Sequence, residues 1–269
     1  MKQAGVKKEI ESALADRFGA VFQRREKQPA EIIPTGVGEI DACFNGLPRG
    51  AITEIHGTTS SGRTSLLLSA LAIATMREEV CALVDTSDTF DLSSAANARV
   101  DCDRLLWVRC SGSVERAFKA TDLLLQSGGF GLVALNLADV PPKVTRRIIT
   151  SWWFRFRRAI ENTSTTLVVV TPVPCIRSGA ALVLEVTNEG TLWPNTMSFF
   201  LENGDAKLTF KEAAEPTTHL SLVTKSTPSL NGCSQPAHSQ LLQGIHVRVN
   251  RERPVTWLTG PARFKTHLH

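Results

Sequence analysis

The feature that most constrains the fold of this chain is a glycine-rich segment between two apolar runs. Residues 51–56 have the composition of a short strand, and Gly57 and Gly62 are separated by four small polar residues. Arg63 and Thr64 follow, and after them comes an apolar run long enough for a buried helix. A strand, Gly-x-x-x-x-Gly, a basic residue, Thr and then a helix form the arrangement of a phosphate-binding loop. The sequence therefore predicts a site for a phosphate anion.

The chemistry of such a loop depends on its backbone. Glycines let the chain wrap closely, so that consecutive N–H groups and the N-terminus of the helix converge on phosphate oxygens. The predicted nucleotide-binding residues are Gly57, Thr58, Thr59, Ser60, Ser61, Gly62, Arg63, Thr64 and Ser65. Thr64 would place its hydroxyl on Mg²⁺, so ATP and Mg²⁺ are the expected cofactors. The basic position is Arg63, whose planar fork does not replace the compact ammonium of lysine at such a site.

Short apolar runs alternate with helical patterns along the middle of the chain. Runs at 80–84, 105–108, 132–137 and 167–170 have the length and composition of buried strands, and 114–126 and 144–160 have those of helices. Strands that alternate with helices at this spacing predict an α/β fold with a mostly parallel sheet covered by helices on both faces. Later strands are expected at 181–186, 197–201 and 206–210, with turns at 188–190 and at Asn203-Gly204.

The chain divides by composition into four regions. Residues 1–30 carry apolar positions every four residues, which predicts a docking helix or arm. Residues 31–212 hold the α/β core, and 31–50 are rich in turn residues. Residues 213–243 are rich in Thr, Ser, Pro and Ala, which is typical of a flexible linker. Residues 244–269 hold a terminal strand and a tail.

Composition excludes several classes of protein. No apolar run approaches the ~20 residues of a membrane span, and residues 1–16 lack the apolar core of a signal peptide. The six cysteines are scattered without a CxxC pair, which favours reduced thiols and no metal site. We therefore expect a cytoplasmic protein without a membrane partner. The formal charge of +4 is small, so nucleic-acid binding depends on where the charges lie.

Several segments resemble the RecA family of DNA recombination and repair ATPases. The resemblance is carried by Gly46-Leu47-Pro48-Arg49-Gly50, by Ser60-Ser61-Gly62-Arg63-Thr64 and by Leu83-Val84-Asp85 with Asp91 after it. It extends in order from about residue 18 to residue 186. The resemblance implies a RecA-like P-loop NTPase core: a mostly parallel sheet flanked by helices, with a short N-terminal helix and a C-terminal β-hairpin region. It also implies ATP-dependent work on single-stranded DNA and association with RecA-like protomers.

The positions that carry hydrolysis in this family are altered here. The family's catalytic carboxylate falls on Ser87, and Asp88, one residue later, is the remaining candidate for a general base. The family's Mg²⁺-orienting aspartate falls on Asn136, which brings no charge. The family's nucleotide-sensing glutamine is replaced around Thr171-Pro172. Together with Arg63, these changes predict that hydrolysis is weak or lost.

A basic and aromatic segment is the candidate for contact with DNA. The two loops that bind single-stranded DNA in the family are short here, at 138–143 and 171–179. A helix expected over 143–160 carries the candidate DNA contacts Lys143, Arg146, Arg147, Arg155 and Arg158. Its aromatic residues fit two interpretations, because the same spacing forms an apolar stripe that packs on the sheet. Arg248, Arg251 and Arg253 form a smaller basic cluster.

Three functions fit these residues. The first is an accessory protein of DNA repair and the SOS response, similar to the ImuA group, which acts in translesion synthesis with an error-prone polymerase complex. The second is a divergent ATP-dependent recombinase with DNA-dependent ATPase activity. The third is an interaction module that keeps the fold without nucleotide or DNA. The altered positions favour the first.

Overall fold

A computed structural model of the chain describes residues 31–192, 198–202, 205–209, 244–254 and 260–267. The N-terminal docking helix, the 213–243 linker and the last two residues of the tail lie outside these ranges. No helix in the described ranges has both the length and the apolar character that a bilayer crossing requires.

The elements follow the predicted alternation. The strands are β1 (Ile32–Ile33), β2 (Leu47–Pro48), β3 (Ile52–Gly57), β4 (Cys81–Asp85), β5 (Leu105–Arg109), β6 (Leu132–Asn136), β7 (Thr166–Thr171), β8 (Leu182–Leu192), β9 (Ser198–Glu202), β10 (Asp205–Thr209), β11 (Gly244–Arg253) and β12 (Ala262–His267). The helices are α1 (Gly38–Phe44), α2 (Arg63–Met76), α3 (Leu92–Asn97), α4 (Val114–Ser127), α5 (Pro142–Thr145) and α6 (Thr150–Ile160). Two short 3₁₀ turns span Cys102–Arg104 and Arg177–Gly179.

An eight-stranded sheet organises the chain, in the order β12-β11-β8-β3-β7-β6-β4-β5. The pairs from β8 to β5 are all parallel, and β11 and β12 add an antiparallel edge. The sheet confirms the prediction of a mostly parallel α/β fold. Strands β9 and β10 pair antiparallel with Glu202 opposite Asp205, and the predicted turn residues Asn203 and Gly204 lie outside the described ranges.

Two apolar layers cover the sheet. Because the central strands are buried on both faces, every residue of β3, β4 and β7 is buried. One layer packs the apolar residues of α2, among them Leu66 and Leu71, against the sheet. The opposite layer is built from α4 and α6, where the Phe118 ring lies 5.0 Å from the Trp153 ring and 5.5 Å from the Phe156 ring. Trp153 and Phe156 are therefore core residues, as one of the two interpretations proposed.

Two local expectations are wrong. The predicted turn at 188–190 lies within β8, where the pairing with β11 shifts register between His246 and Val247 and the strand continues through a bulge. The predicted helix over 143–160 is broken into α5 and α6, because Ile149 has an extended backbone. β-Branched residues surround the break, and their restricted side chains are poor helix formers. The turn-rich 31–50 segment also contains the helix α1.

The α4–α6 layer gives the first test of this packing. Phe118 is 2% exposed and contacts three aromatic rings, so Phe118→Ala should reduce the free energy of unfolding by about 3–5 kcal/mol. Leu123→Ala, on the same helix but 69% exposed, is the control and should change it by less than about 0.5 kcal/mol. Urea unfolding measures both, and equal losses would contradict the packing described.

Candidate functional site

The candidate site lies where the parallel strands end. The registers place His56 beside Thr171, Val170 beside Asn136, and Asn136 beside Asp85, so the carboxyl ends of β3, β7, β6 and β4 follow one another along one edge. In open α/β sheets, ligands bind in the crevice outside this edge. The glycine-rich loop that follows β3 lies near the middle of this edge.

The loop is glycine-rich because its neighbours leave no room for side chains. A Cβ on Gly57 would lie 2.1 Å from the carbonyl oxygen of Val186. Gly62 has a φ of +99°, and a Cβ there would lie 2.7 Å from the Val247 side chain. The Ser61 N–H donates to the Thr58 carbonyl at 3.2 Å and closes a tight turn. The geometry thus brings the predicted residues from Gly57 to Ser65 together.

The start of α2 offers donors to an anion. Gly62 caps the helix without a side-chain hydrogen bond, and the first turn contains no acidic residue. Thr64 is exposed, and the buried Ser61 hydroxyl has no hydrogen-bond partner in the described structure. A depression of about 230 Å³ lies over Ser60–Ser65, with Ile245 and Thr266 of the β11–β12 hairpin as its far wall. These features fit a phosphate group.

Arg63 does not extend into this depression as a free cation. Its side chain is buried, and Nη1 donates a 2.6 Å hydrogen bond to the carbonyl oxygen of Thr171 at the end of β7. Burial lowers the pKa of Arg63, and the charge of Asp139 opposes that shift. The guanidinium therefore ties the phosphate loop to the neighbouring strand.

Asp139 is a residue of this site that the sequence interpretation did not select. It follows β6, is exposed, interacts electrostatically with Arg63 and accepts a 2.8 Å hydrogen bond from the Thr89 hydroxyl. Its place just past the end of a buried strand is the signal that could have identified it. The negative charge of the Asp139 carboxylate thus acts on Arg63 of the phosphate loop.

The predicted Mg²⁺-associated residue Asn136 has a structural role. Its Nδ2 donates to Asp85 Oδ1 at 3.3 Å, and its Oδ1 accepts from the Ala138 N–H at 3.1 Å. The other oxygen of Asp85 accepts from the Phe90 N–H at 2.8 Å. These bonds join the ends of β4 and β6. Among the described residues, no group of three His, Cys, Asp or Glu side chains is placed to hold a metal ion.

The candidate base Asp88 is anchored at the opposite end of the site. Its Oδ1 accepts hydrogen bonds from the N–H groups of Cys110 and Ser111, at 3.1 and 3.2 Å. Its other oxygen lies 3.5 Å from Arg109. These partners belong to the end of β5, the edge strand, whereas the phosphate loop follows β3. The Asp88 carboxylate thus forms its hydrogen bonds at the end of β5, away from the phosphate loop.

Glu54 fixes the segment where the family's second DNA-binding loop would lie. This buried carboxylate accepts hydrogen bonds from the Thr171 hydroxyl at 3.3 Å, from the Cys175 N–H at 2.7 Å and from the Ile176 N–H at 3.3 Å. Arg253 donates to the Arg177 carbonyl at 2.7 Å. The connection between β7 and β8 is therefore short and tied at several points.

The predicted DNA-contacting residues divide into two groups. Lys143, Arg146, Arg147 and Arg158 are exposed. Arg155 is exposed as well, but it donates from Nε to Asp122 at 2.6 Å and lies over the Trp152 ring, so it joins α6 to α4. Phe154 is 52% exposed beside Arg157 and Arg158, which makes it the aromatic ring of α6 most open to a ligand. Of the smaller basic cluster, Arg248 is 3.1 Å from Asn250 and Arg251 lies over Phe44.

Comparisons with known proteins support the resemblance to the RecA family. A family model described as the RecA N-terminal domain matches residues 6–145. The protein RecA of Leifsonia xyli subsp. xyli is 30% identical over 161 residues, which cover 54% of this chain and 45% of that protein. RecA of Clavibacter michiganensis subsp. michiganensis is 37% identical over 138 residues, which cover 48% of this chain and 38% of that protein. The matched part thus spans less than half the length of these relatives.

A solved structure described as the RadB recombinase has a similar chain path. It aligns with a TM-score of 0.48 at 15% identity and covers 58% of this chain and 83% of that one.

Removal of the Glu54 carboxylate tests whether this side chain holds the connection between β7 and β8 in place. Glu54→Ala leaves the Cys175 and Ile176 N–H groups without their acceptor, at about 1–3 kcal/mol each, so we expect a loss of about 2–5 kcal/mol in the free energy of unfolding. Amide exchange at both residues should also accelerate. Glu161→Ala, at an exposed position, is the control. Unchanged exchange at Cys175 would contradict the assigned contacts.

The thiol of Cys175 gives a second test. Burial and the nearby charge of Glu54 raise its pKa, and since the thiolate is the nucleophile, Cys175 stays protonated and unreactive near neutral pH. At pH 8, iodoacetamide should modify the exposed Cys102 at least tenfold faster than Cys175, measured site by site by mass spectrometry. Comparable rates at the two residues would show that the half-buried Cys175 thiol is not shielded in this way.

Proposed function

The chain belongs to the RecA family, and on that premise we propose that it is a repair protein whose core binds nucleotide but has largely lost hydrolysis. It acts as an accessory factor of DNA damage tolerance in the SOS response. It works through RecA-like protomers or an error-prone polymerase complex and through weak contact with single-stranded DNA. The position of Asp88 is the observation that carries the loss of hydrolysis.

Hydrolysis needs a carboxylate that activates water beside the terminal phosphate. Asp88 uses its Oδ1 to accept two backbone N–H groups at the end of β5, and Asn136 uses its amide to join β6 and β4. Each of these residues would have to break structural hydrogen bonds before it could serve catalysis. Loss of a single stabilising donor typically costs about 10²–10³ in rate, so several altered positions together favour a very slow reaction.

Nucleotide binding draws on a different set of groups. The exposed start of α2, the unpartnered Ser61 hydroxyl and the depression over the loop support a bound phosphate chain. ATP, when bound, would supply the anion that these donors satisfy. Thr64 would hold Mg²⁺ through its hydroxyl, with Asp139 as the nearby carboxylate.

A divergent DNA-dependent ATPase with recombinase activity is the second candidate. One observation favours it: the negative charge of Asp139, which follows β6, opposes the lowering of the Arg63 pKa by burial, so this chain has a carboxylate that acts on the phosphate-loop arginine although the family's position is Ser87. In this second function Asp139 would replace the missing base. Asp139→Asn would then abolish turnover, whereas Asp88→Asn would leave it unchanged.

For DNA, the supporting surface is the outer face of α6. Phe154 offers a ring for base stacking, and Arg157 and Arg158 offer phosphate contacts. One exposed ring and a few cations predict weak and strongly salt-dependent binding.

A substitution at Thr64 tests the nucleotide part of the proposal. Thr64→Glu places a carboxylate in the first turn of α2, where the helix dipole favours it, so the fold should keep its melting temperature. The same charge repels phosphate, and we expect the affinity for a fluorescent ATP analogue to fall at least tenfold.

Thr64→Ser keeps the hydroxyl and is the matched control, with an affinity within threefold of the unchanged protein. Fluorescence titration measures all three proteins. If the unchanged protein does not bind the analogue, or if Thr64→Glu binds as well as Thr64→Ser, nucleotide binding at this loop is wrong.

A further inference from the structure

An apolar groove lies on the α4–α6 side of the sheet, away from the phosphate loop. It has a volume of about 250 Å³ and is lined by Val114, Glu115 and Phe118 of α4, by Val144, Arg147, Ile148 and Ile149, and by Trp152 of α6. We name it the α4–α5 groove. The broken helix creates it, because the extended backbone at Ile149 separates α5 from α6 and directs the intervening residues along α4.

The rim of the groove exposes large aliphatic side chains. Ile149 is 66% exposed and Val144 is 44% exposed. Single exposed apolar residues are common, but apolar side chains that border a groove and stand next to one another mark binding surfaces. The groove therefore has both a cavity and an apolar rim for a ligand's hydrophobic side chains.

Cations flank this apolar surface. Three exposed basic residues lie at i, i+3 and i+4 in a helical turn, namely Lys143, Arg146 and Arg147. This spacing places them on one side of that turn. Within the described ranges, none of the three takes part in an ion pair. Glu115 is the acidic residue of the lining, and its carboxylate is paired with Lys119 at 2.7 Å. The exposed side chains named here therefore give this part of the surface an excess of positive charge.

We propose that the α4–α5 groove binds an acidic amphipathic segment of a partner protein. Its apolar side chains enter the groove beside Ile149 and Val144, and its carboxylates pair with Lys143, Arg146 and Arg147. Arginine forks bind carboxylates through two parallel hydrogen bonds, and amphipathic helices commonly bind in apolar grooves. This inference rests on the proposed function in one respect, because both require a protein partner. It adds the chemistry of that partner and the surface of this chain to which the partner binds.

The groove suits a protein better than single-stranded DNA. Bases bind by stacking on exposed aromatic faces, whereas the exposed side chains here are aliphatic. The Trp152 ring is half-buried, packs 5.6 Å from Phe118 and lies under the Arg155 guanidinium. DNA contact is expected instead at Phe154, on the outer face of α6.

The chain's own remaining segments are poor occupants. Residues 1–30 carry seven lysines and arginines against four acidic residues, so their charge matches that of the rim and repels it. Residues 210–243 carry two basic and two acidic residues and supply no excess of carboxylates. The acidic segment that complements this basic surface is therefore expected to come from another molecule.

The test uses the full chain and three labelled 20-residue peptides. The first has Leu and Phe on one helical face and Glu on the other, the second has the same composition in scrambled order, and the third has Lys in place of Glu. Fluorescence anisotropy should show that the first binds at least tenfold more tightly than the others. Hydrogen exchange should slow at residues 144–152 when it is bound.

Variants on and off the groove complete the design. Ile149→Asp should weaken the first peptide at least tenfold and Arg147→Glu at least fivefold, whereas Ile149→Val and Arg158→Glu should stay within twofold. All three charge-changing positions, Arg147, Ile149 and Arg158, are exposed, so thermal unfolding should be unchanged. The nucleotide titration of the Thr64 variants is independent of these measurements, and the two proposals fail separately.

Three results would overturn the proposal. The first is no binding of the acidic amphipathic peptide by the unchanged chain. The second is equal binding by the unchanged chain and by Ile149→Asp. The third is binding of a labelled 20-nucleotide oligothymidylate that Arg147→Glu and Ile149→Asp abolish while Arg158→Glu does not, which would make the groove a nucleic-acid site.

Discussion

Two buried charged side chains hold the end of β7, and the candidate site depends on them. Glu54 of β3 accepts the Cys175 and Ile176 N–H groups, and Arg63 at the start of α2 donates to the Thr171 carbonyl at 2.6 Å. Removing a charge from water is costly unless hydrogen bonds compensate it, so both side chains are committed to these partners. The phosphate loop and the β7–β8 connection are thereby tied into one unit, in the region where the family has a DNA-binding loop.

Other polar side chains along the carboxyl edge of the sheet are also engaged in structural hydrogen bonds. Asp85 and Asn136 bond to each other, and Asp88 accepts the N–H groups that follow β5. Asn136, which falls on the family's Mg²⁺-orienting aspartate, and Asp88, which follows the position of the family's catalytic carboxylate, therefore stabilise strand ends here. The phosphate loop itself keeps the steric demands of its glycines and an open helix N-terminus. On the proposed function, a core of this kind would hold an anion although the family's carboxylate position is Ser87.

Much of the fold follows from the sequence because it rests on local pattern. The buried runs of β4, β6 and β7 and the spacing of Gly57 and Gly62 predicted the parallel sheet and its phosphate loop. The break at Ile149 was missed, because the apolar stripe continues across it and masks the low helix propensity of the β-branched residues on either side. The contacts of Glu54, Arg63 and Asp139 were missed for a related reason. They join residues at least 50 positions apart, and no local pattern encodes such pairs.

The central claim is the proposal that this RecA-family core binds nucleotide and that its hydrolysis is weak or lost. The most direct measurement is the release of phosphate from ATP by the full chain, with and without single-stranded DNA, beside a variant that combines Asp88→Asn with Asp139→Asn. The account predicts no release above that of the double variant under either condition. Release that single-stranded DNA accelerates, and that the double variant loses, would contradict it and establish a working DNA-dependent ATPase.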